Sequence, residues 1–173
     1  MPSCASVPLC RSESPLSSLG HSITTNEVFH VPAVALYRLP GATPDVETVL
    51  EPGELITAVL LPISEAARRS TYLKIRDRGS FEWALVSVAA GLALEGERIK
   101  EALIAVGGVA TKPWRLPEVE SALRGHKPDP SLIRQAAARA GEGAVLRAGN
   151  GFKLDLMRRA VARALEQALG AAA

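Results

Sequence analysis

The spacing of hydrophobic residues changes once along this chain, close to residue 110. Residues 72–76 and 83–94 alternate between two kinds of side chain, which is the period-two pattern of β-strands, and residues 99–109 follow as a further strand. Beyond that point apolar residues recur at steps of three and four, which predicts amphipathic helices. Because the strands precede the helices, the sequence predicts an α+β fold. Three to four antiparallel strands are followed by a three-helix layer that covers one sheet face.

The predicted sheet begins before residue 72. Residues 54–61 form a short run of aliphatic and β-branched residues that Pro62 ends, and we expect this run to be a buried strand. Residues 95–98 are a turn signal that should join the two long strands into an antiparallel hairpin. Small residues on one face of the 83–94 strand should allow helices to pack closely there. The opposite face carries Val86, Val88, Leu92 and Leu94.

Three helices are predicted after residue 116. The first begins at Pro117 and ends before Gly125, and the second has Asp129 as its N-cap and Gly141 as its stop. The third has Asn150 as its candidate N-cap. Its apolar stripe consists of Leu154, Met157, Val161, Ala164, Leu165 and Ala168.

Charge and hydropathy exclude several kinds of partner. The formal net charge is only +2, and Lys and Arg are interleaved with Asp and Glu, so we expect no nucleic-acid partner. No window reaches the roughly 18 consecutive apolar residues that a membrane span needs. The opening residues make a poor signal peptide, because Pro and charged residues interrupt their apolar run. We therefore expect no membrane partner and a cytoplasmic location.

Cysteine and histidine are too few to build a metal or catalytic site. Cys4 and Cys10 are the only cysteines, and both lie in the first ten residues, so an iron–sulfur cluster within this chain is not expected. His21, His30 and His126 lie in a predicted tail or in loops, and they form no nucleophile–base pair or ligand set. We predict no catalytic residue and no metal ligand.

Composition divides the chain at about residues 30 and 62. Residues 1–30 are rich in Ser and Pro and show neither period, so we expect a disordered tail or a segment with no structural counterpart. Residues 31–53 are dense in Pro and Gly, which predicts an extended connector before the strand predicted at residues 54–61. Residues 63–170 carry most of the alternating pattern and all of the helical pattern and are predicted to form the folded domain.

Four segments in order carry a family resemblance. They are Leu39-Pro-Gly-Ala-Thr-Pro with residues 51–62, Tyr72-Leu-Lys-Ile-Arg-Asp-Arg-Gly with residues 80–92, Ala105-Val-Gly-Gly with residues 109–115, 120 and 123–125, and Asn150-Gly-Phe-Lys-Leu-Asp with residues 156–159 and 163–165. Together they resemble the FAD-binding, or medium, subunit of molybdenum hydroxylases. That family includes subunits of aldehyde oxidoreductases, xanthine dehydrogenases and carbon monoxide dehydrogenases.

The resemblance implies a fold, a cofactor and partners. Residues 31–62 would be the end of an FAD-binding domain with its crossover, and residues 63–170 the flavoprotein C-terminal domain. The implied cofactor is FAD, which relays electrons from iron–sulfur centres to an external acceptor. The implied partners are a large subunit with the molybdenum cofactor, where substrate is oxidised, and a small iron–sulfur subunit.

One part of the family pattern has no counterpart in this sequence. The glycine-rich loops whose backbone amides approach the FAD pyrophosphate are missing, so we expect a truncated subunit that does not retain FAD alone. The alternative is a non-catalytic docking module, or a gene remnant, that binds partner subunits without FAD. The sheet face away from the helices is partly apolar, and we expect a further domain or a partner subunit to cover it.

By resemblance, two residues face the flavin. Lys74 occupies the place of a lysine that contacts the flavin, and Ile56 that of an apolar residue near the ring. A cation beside the pyrimidine end of the ring stabilises the negative charge of the reduced flavin. The alternative for Lys74 is a solvated lysine on an edge strand, and the residues alone leave both interpretations open.

Neighbouring residues also have alternative interpretations. Phe81 and Trp83 can stack on a flavin or a base, although aromatic residues beside a strand are more commonly core or interface anchors. Residues 76–78 are expected to form local ion pairs. The pair Gly107-Gly108 is predicted to form a structural turn rather than a phosphate site.

Overall fold

Seven strands and five helices make up the described part of the chain, which the computed structural model gives as residues 6–12, 26–79 and 81–170. Residues 6–12 and 26–29 are described as backbone only. The predictions for Cys4 and His21 fall outside the described residues. The chain divides into two compact units, Met1–Ile63 and Ser64–Ala173.

The first unit contains a three-stranded antiparallel sheet. Its strands are β1 (Ser6–Ser12), β2 (Asn26–Pro32) and β3 (Glu54–Ile56), in the order β2-β1-β3, and α1 (Ala33–Leu36) follows β2. The predicted lack of order before residue 31 is therefore wrong for β1 and β2. Composition misses these strands because their hydrogen bonds join segments that are distant in sequence, where local propensity carries little weight.

The run at residues 54–61 differs from its prediction. β3 ends at Ile56 and lies at an edge of this first sheet. The predicted burial is also wrong, because an edge strand pairs on one side only and residues 57–61 belong to none of the named strands. Most apolar side chains of this region are exposed, namely Leu55, Ile56, Val59, Leu60, Leu61 and Ile63.

The second unit is built on a four-stranded antiparallel sheet. Its strands, in spatial order, are β4 (Ser70–Ile75), β5 (Val86–Glu95), β6 (Arg98–Gly107) and β7 (Trp114–Arg115). The predicted hairpin is confirmed, because β5 and β6 pair around a turn in which Gly96 has φ 59°. The fourth strand is β7, not residues 54–61.

The three predicted helices follow the sheet as α3 (Pro117–Leu123), α4 (Pro130–Ala138) and α5 (Phe152–Gly170). Asp129 caps α4 as predicted, since its Oδ1 accepts from the backbone N–H groups of Ser131 and Leu132 at 2.8 and 3.0 Å. No comparable side-chain cap forms at Asn150. Its Oδ1 accepts from the Arg147 backbone N–H at 2.8 Å, so the preceding loop occupies that oxygen.

The core lies between the helix layer and one face of this sheet, which confirms the predicted α+β arrangement. It joins strand residues Val86, Val88, Ala90, Leu92, Ile99, Ala102, Ile104 and Val106 to helix residues that include Val119, Leu123, Ile133, Met157, Val161 and Leu165. Fully burying each large aliphatic side chain contributes roughly 1.5–3 kcal/mol. Helices α3 and α5 pack against the Val-rich face, and α4 packs on α3 and α5, so the three-helix layer does not use the small-residue face.

The small-residue face carries a different helix. The short α2 (Glu65–Arg68) begins at Ser64, whose hydroxyl accepts from the Ala67 N–H at 3.1 Å. A Cβ added to Gly91 would lie 2.7 Å from the Ala66 carbonyl oxygen, so the absence of a side chain lets α2 approach β5. Among the described helices, none has both the length and the apolar character needed to cross a membrane.

Candidate functional site

The four-stranded sheet has one face that the helix layer does not cover. Directly paired residues of antiparallel strands share a face, so Tyr72 lies beside Ala89 and Lys74 beside Ser87. Their neighbours Leu73 and Ile75 pack against the core instead. We call the surface that carries Tyr72, Lys74, Ser87 and Ala89 the open face.

A cleft of about 340 Å³ lies at the end of β4. Lys74, Arg76, Phe81, Glu82 and Trp83 line it. Its size falls within the range of about 300–1,000 Å³ that is usual for small-molecule sites. The cleft therefore brings the predicted flavin-contacting lysine together with the two aromatic residues for which stacking was considered.

The Lys74 ammonium is exposed and free of internal ion pairs. Within the described residues, no carboxylate or other acceptor forms a hydrogen bond or ion pair with it, and the same is true of the Arg76 guanidinium. Two unpaired cations on one strand end leave positive charge available to a ligand. The prediction of local ion pairs for residues 76–78 is wrong, because these three residues form no ion pair within the described part of the chain. Arg78 instead makes hydrogen bonds within its own loop.

That loop, described at residues 76–79 and 81–85, is held by local hydrogen bonds. The Leu85 N–H donates to the Ile75 carbonyl at 2.8 Å, and the Arg78 N–H donates to Glu82 Oε2 at 2.8 Å. Arg78 Nη2 donates to the Phe81 carbonyl at 3.2 Å. Phe81 has φ 46°, in the left-handed region that a bulky residue rarely adopts.

The loop points its aromatic side chains outward. Phe81 is 98% exposed and Trp83 is 92% exposed, so neither anchors the core of this chain. Exposing two large aromatic side chains side by side is unfavourable in water unless something else covers them. Stacking on a ligand and anchoring an interface both remain open for these residues.

The adjacent glycines Gly107 and Gly108 have a packing role, in line with the structural turn predicted for them. Gly108 has φ 76°, and a Cβ there would lie 2.8 Å from the Ala84 carbonyl oxygen. Its own carbonyl accepts a hydrogen bond from Lys153 Nζ at 2.8 Å. A Cβ on Gly107 would lie 2.7 Å from Ser87 Oγ, so this glycine leaves space above that hydroxyl.

A shallow groove of about 490 Å³ also lies on the open face. Tyr72, Ala89, Gly91, Leu103 and Ala105 are among the residues that line it, with Arg115 at its β7 side. This groove was not predicted from the sequence, because small side chains in a strand pattern indicate a face on which helices pack.

The other predicted residues are described within their own units. Ile56 belongs to the first unit, where it ends β3, pairs with Leu9 and is 39% exposed. His30 and His126 are exposed. Across the described residues, no three His, Cys, Asp or Glu side chains come together as a metal ligand set.

Comparison with known proteins gives consistent matches. Residues 70–168 match the family described as the CO dehydrogenase flavoprotein C-terminal domain. The aldehyde oxidoreductase FAD-binding subunit PaoB of Escherichia coli (strain K12) is 40% identical over 133 residues, which are 76% of this chain. The same residues cover 38% of that protein, so the chain spans well under half the length of this relative.

Solved structures agree with the sequence matches. Quinoline 2-oxidoreductase from Pseudomonas putida 86 aligns with a TM-score of 0.73 and 26% identity, over 97% of this chain and 53% of that chain. Carbon monoxide dehydrogenase from Hydrogenophaga pseudoflava aligns with a TM-score of 0.75 over 98% of this chain and 54% of that chain. At 22% sequence identity, this structural alignment shows a shared fold, as the resemblance implied.

Proposed function

Because the chain belongs to the family of the CO dehydrogenase flavoprotein C-terminal domain, we propose that it is part of the FAD-binding subunit of a molybdenum-dependent hydroxylase. The proposed partners are a large subunit with the molybdenum cofactor and a small iron–sulfur subunit. Bound FAD supplies electron transfer between the iron–sulfur centres and an external acceptor. The names of the relatives support FAD and an oxidoreductase complex, and the cytoplasmic location stays a prediction.

The observation that carries this proposal is the environment of Lys74. Its ammonium lines a cleft of about 340 Å³ and has no described internal partner, as expected of a cation reserved for a ligand. A positive charge beside the flavin ring favours the negative charge that the ring gains on reduction. The interaction is strengthened where the ligand displaces water from the cleft.

The described residues fit one edge of a flavin. The cleft offers cations at Lys74 and Arg76 and aromatic surface at Phe81 and Trp83, whereas FAD with its pyrophosphate and adenosine is larger than this cleft. We therefore propose that the second unit forms one wall of the flavin site, with Lys74 at the polar edge of the ring. Ile56 of the first unit is proposed as an apolar contact near the ring.

Titration of the isotope-labelled chain with FAD, followed by amide chemical shifts, tests this function even if binding is weak. The Lys74→Met variant should bind FAD about ten- to a hundredfold more weakly, because a hydrogen bond to a charged group contributes roughly 1.5–3 kcal/mol. Lys127→Met is the matched control, since Lys127 is an exposed lysine paired with Glu97 at 3.0 Å and does not line the cleft.

Two results would contradict the proposal. A wild-type chain whose amide shifts ignore FAD at millimolar concentration would support the alternative of a docking module without flavin. Equal affinities for Lys74→Met and Lys127→Met would show that FAD binds without this lysine.

A further inference from the structure

Ser87 is the polar residue nearest to Lys74 in the sheet register, and nothing in the proposed function uses it. Ser87 of β5 pairs directly with Lys74 of β4 on the open face. Directly paired residues place their Cβ atoms about 4.5–5.5 Å apart. One ligand edge can therefore contact the hydroxyl of Ser87 and the ammonium of Lys74 together.

The Ser87 side chain is almost fully enclosed and yet unpaired. It is 9% exposed, and its hydroxyl has no hydrogen-bond partner among the described residues. Within the described part of the chain, every side-chain oxygen or nitrogen that is sealed from solvent has a hydrogen-bond partner. The hydroxyl must therefore keep a narrow opening to solvent. An enclosed hydroxyl without a partner is uncommon and marks a position where a ligand or a water completes the hydrogen bond.

Gly107 leaves the space beside the Ser87 hydroxyl unfilled. Gly107 of β6 pairs with Ser87 on the side away from Lys74. A Cβ at this position would lie 2.7 Å from Ser87 Oγ and would cover the hydroxyl. The positions Lys74, Ser87 and Gly107 thus form a row across three strands that carries a charge, a hydroxyl and no side chain. We call this row the polar notch.

We propose that the polar notch binds the hydrogen-bonding edge of the flavin ring, with Ser87 as a second ligand-contacting residue beside Lys74. The pyrimidine edge of a flavin presents two carbonyl oxygens on either side of one ring N–H. An ammonium donates only, whereas a hydroxyl both donates and accepts, so the pair matches neighbouring groups of that edge. This inference rests on the proposed function, because it assumes that the ligand at Lys74 is FAD.

FAD titrations of the full chain, followed by amide shifts, separate Ser87 from the rest of the open face. Ser87→Ala should weaken FAD binding about three- to tenfold, the usual range for one net hydrogen bond. Tyr72→Phe is the matched control, because it removes an exposed hydroxyl from the same face at a residue that lines the groove rather than the cleft. Its affinity should stay within about twofold of wild type.

Gly107→Ala provides a second variant that retains the serine. The added Cβ covers Ser87 Oγ, so FAD binding should weaken by about the same factor as in Ser87→Ala. If Ser87→Ala loses its dispersed amide spectrum, Gly107→Ala decides the question by itself. The amide shift of Gly107 on FAD addition should be large in wild type, since this backbone borders the notch.

The outcomes separate the two proposals. Wild-type affinity in Ser87→Ala or in Gly107→Ala, together with weakened binding in Lys74→Met, would overturn the role of Ser87 and leave the proposed function intact. Amide shifts of the wild-type chain that do not change even at millimolar FAD would overturn both. Weakened binding in Ser87→Ala and Gly107→Ala, with Tyr72→Phe unchanged, supports the polar notch.

Discussion

Arg115 binds the carboxylate of Glu120 through both Nε and Nη2, at N–O distances of 2.8 to 3.0 Å. Glu120 is 7% exposed, and its Oε1 also accepts the backbone N–H of Ile104 at 2.7 Å. Ile104 lies in β6 beside the point where the two-residue β7 gives way to α3. The carboxylate therefore replaces a missing strand and satisfies an amide that the short β7 does not reach.

Removal of this carboxylate should destabilise the second unit. Glu120→Ala leaves the Ile104 N–H without its acceptor, which costs about 2–3 kcal/mol including the loss of the Arg115 pair. Urea unfolding followed by the helical far-ultraviolet signal measures the change, because α3, α4 and α5 all belong to the second unit.

Two further variants isolate the cause of that loss. Glu120→Gln keeps an acceptor for the Ile104 N–H and should lose only about half as much. Glu118→Ala removes an exposed carboxylate that pairs with Arg139 at 3.0 Å, and it should cost about 0–1 kcal/mol. A loss in Glu118→Ala as large as in Glu120→Ala would contradict the proposed replacement of strand pairing.

The Asp129 cap predicts a pH dependence for the same unit. Hydrogen bonds from the Ser131 hydroxyl, then from the Leu132 and Ser131 backbone N–H groups, lower the pKa of Asp129 below its usual value. Because the folded-state pKa is lowered, the contribution to stability is present above the unfolded pKa of about 3.9 and is lost as the pH falls through the folded pKa.

Thermal unfolding between about pH 2 and pH 6 tests this linkage. The melting temperature of the wild-type chain should exceed that of Asp129→Asn at the upper end of this range, and the difference should shrink towards the lower end. Asparagine keeps a capping oxygen but does not titrate, so it isolates the charge. A difference that stays constant with pH would show that the carboxylate charge contributes nothing.

Sequence patterns predicted the helices and the hairpin of the second unit because residues close in sequence determine where these elements begin and end. Pro117 at the start of α3 and Asp129 before α4 act through backbone groups one to four residues away, so the sequence contains the whole interaction. The β5–β6 hairpin is equally local, since Gly96 supplies its turn. These features were therefore predictable without knowledge of the rest of the fold.

The remaining features depend on contacts that no local pattern contains. The small face of β5 accepts only the four-residue α2, because Gly91 meets the Ala66 backbone, and periodicity alone does not tell which face a helix layer will use. Ser87 acquires its position beside Lys74 from strand register, which a single sequence specifies weakly. The family resemblance predicts a flavin contact for Lys74 but gives no information on its neighbours across the sheet.

The contact between Gly91 and α2 predicts a position where alanine is not tolerated. In Gly91→Ala the new Cβ would approach the Ala66 carbonyl oxygen to 2.7 Å, and both partners are backbone or directly attached to it. The strain should cost about 1–3 kcal/mol in urea unfolding. Gly151→Ala is the matched control, because a Cβ there meets no atom within 4 Å, and its stability should stay within about 0.5 kcal/mol of wild type. Equal stability of the two variants would place α2 farther from β5 than described.

The exposed position of Trp83 and the packed position of Trp114 predict that substitution of Trp83 affects ligand binding, whereas substitution of Trp114 affects stability. Trp83 is 92% exposed, so Trp83→Ser should change the free energy of unfolding by less than about 0.5 kcal/mol. Trp114 packs against the core, and Trp114→Ala should cost about 2 kcal/mol or more. If Trp83 stacks on the flavin, Trp83→Ser should weaken FAD binding about three- to tenfold, as an aromatic pair contributes roughly 0.5–1.5 kcal/mol. Unchanged FAD binding in Trp83→Ser would instead assign this aromatic side chain to an interface with a partner subunit. A large loss of stability in the same variant would show that the side chain is buried in the second unit.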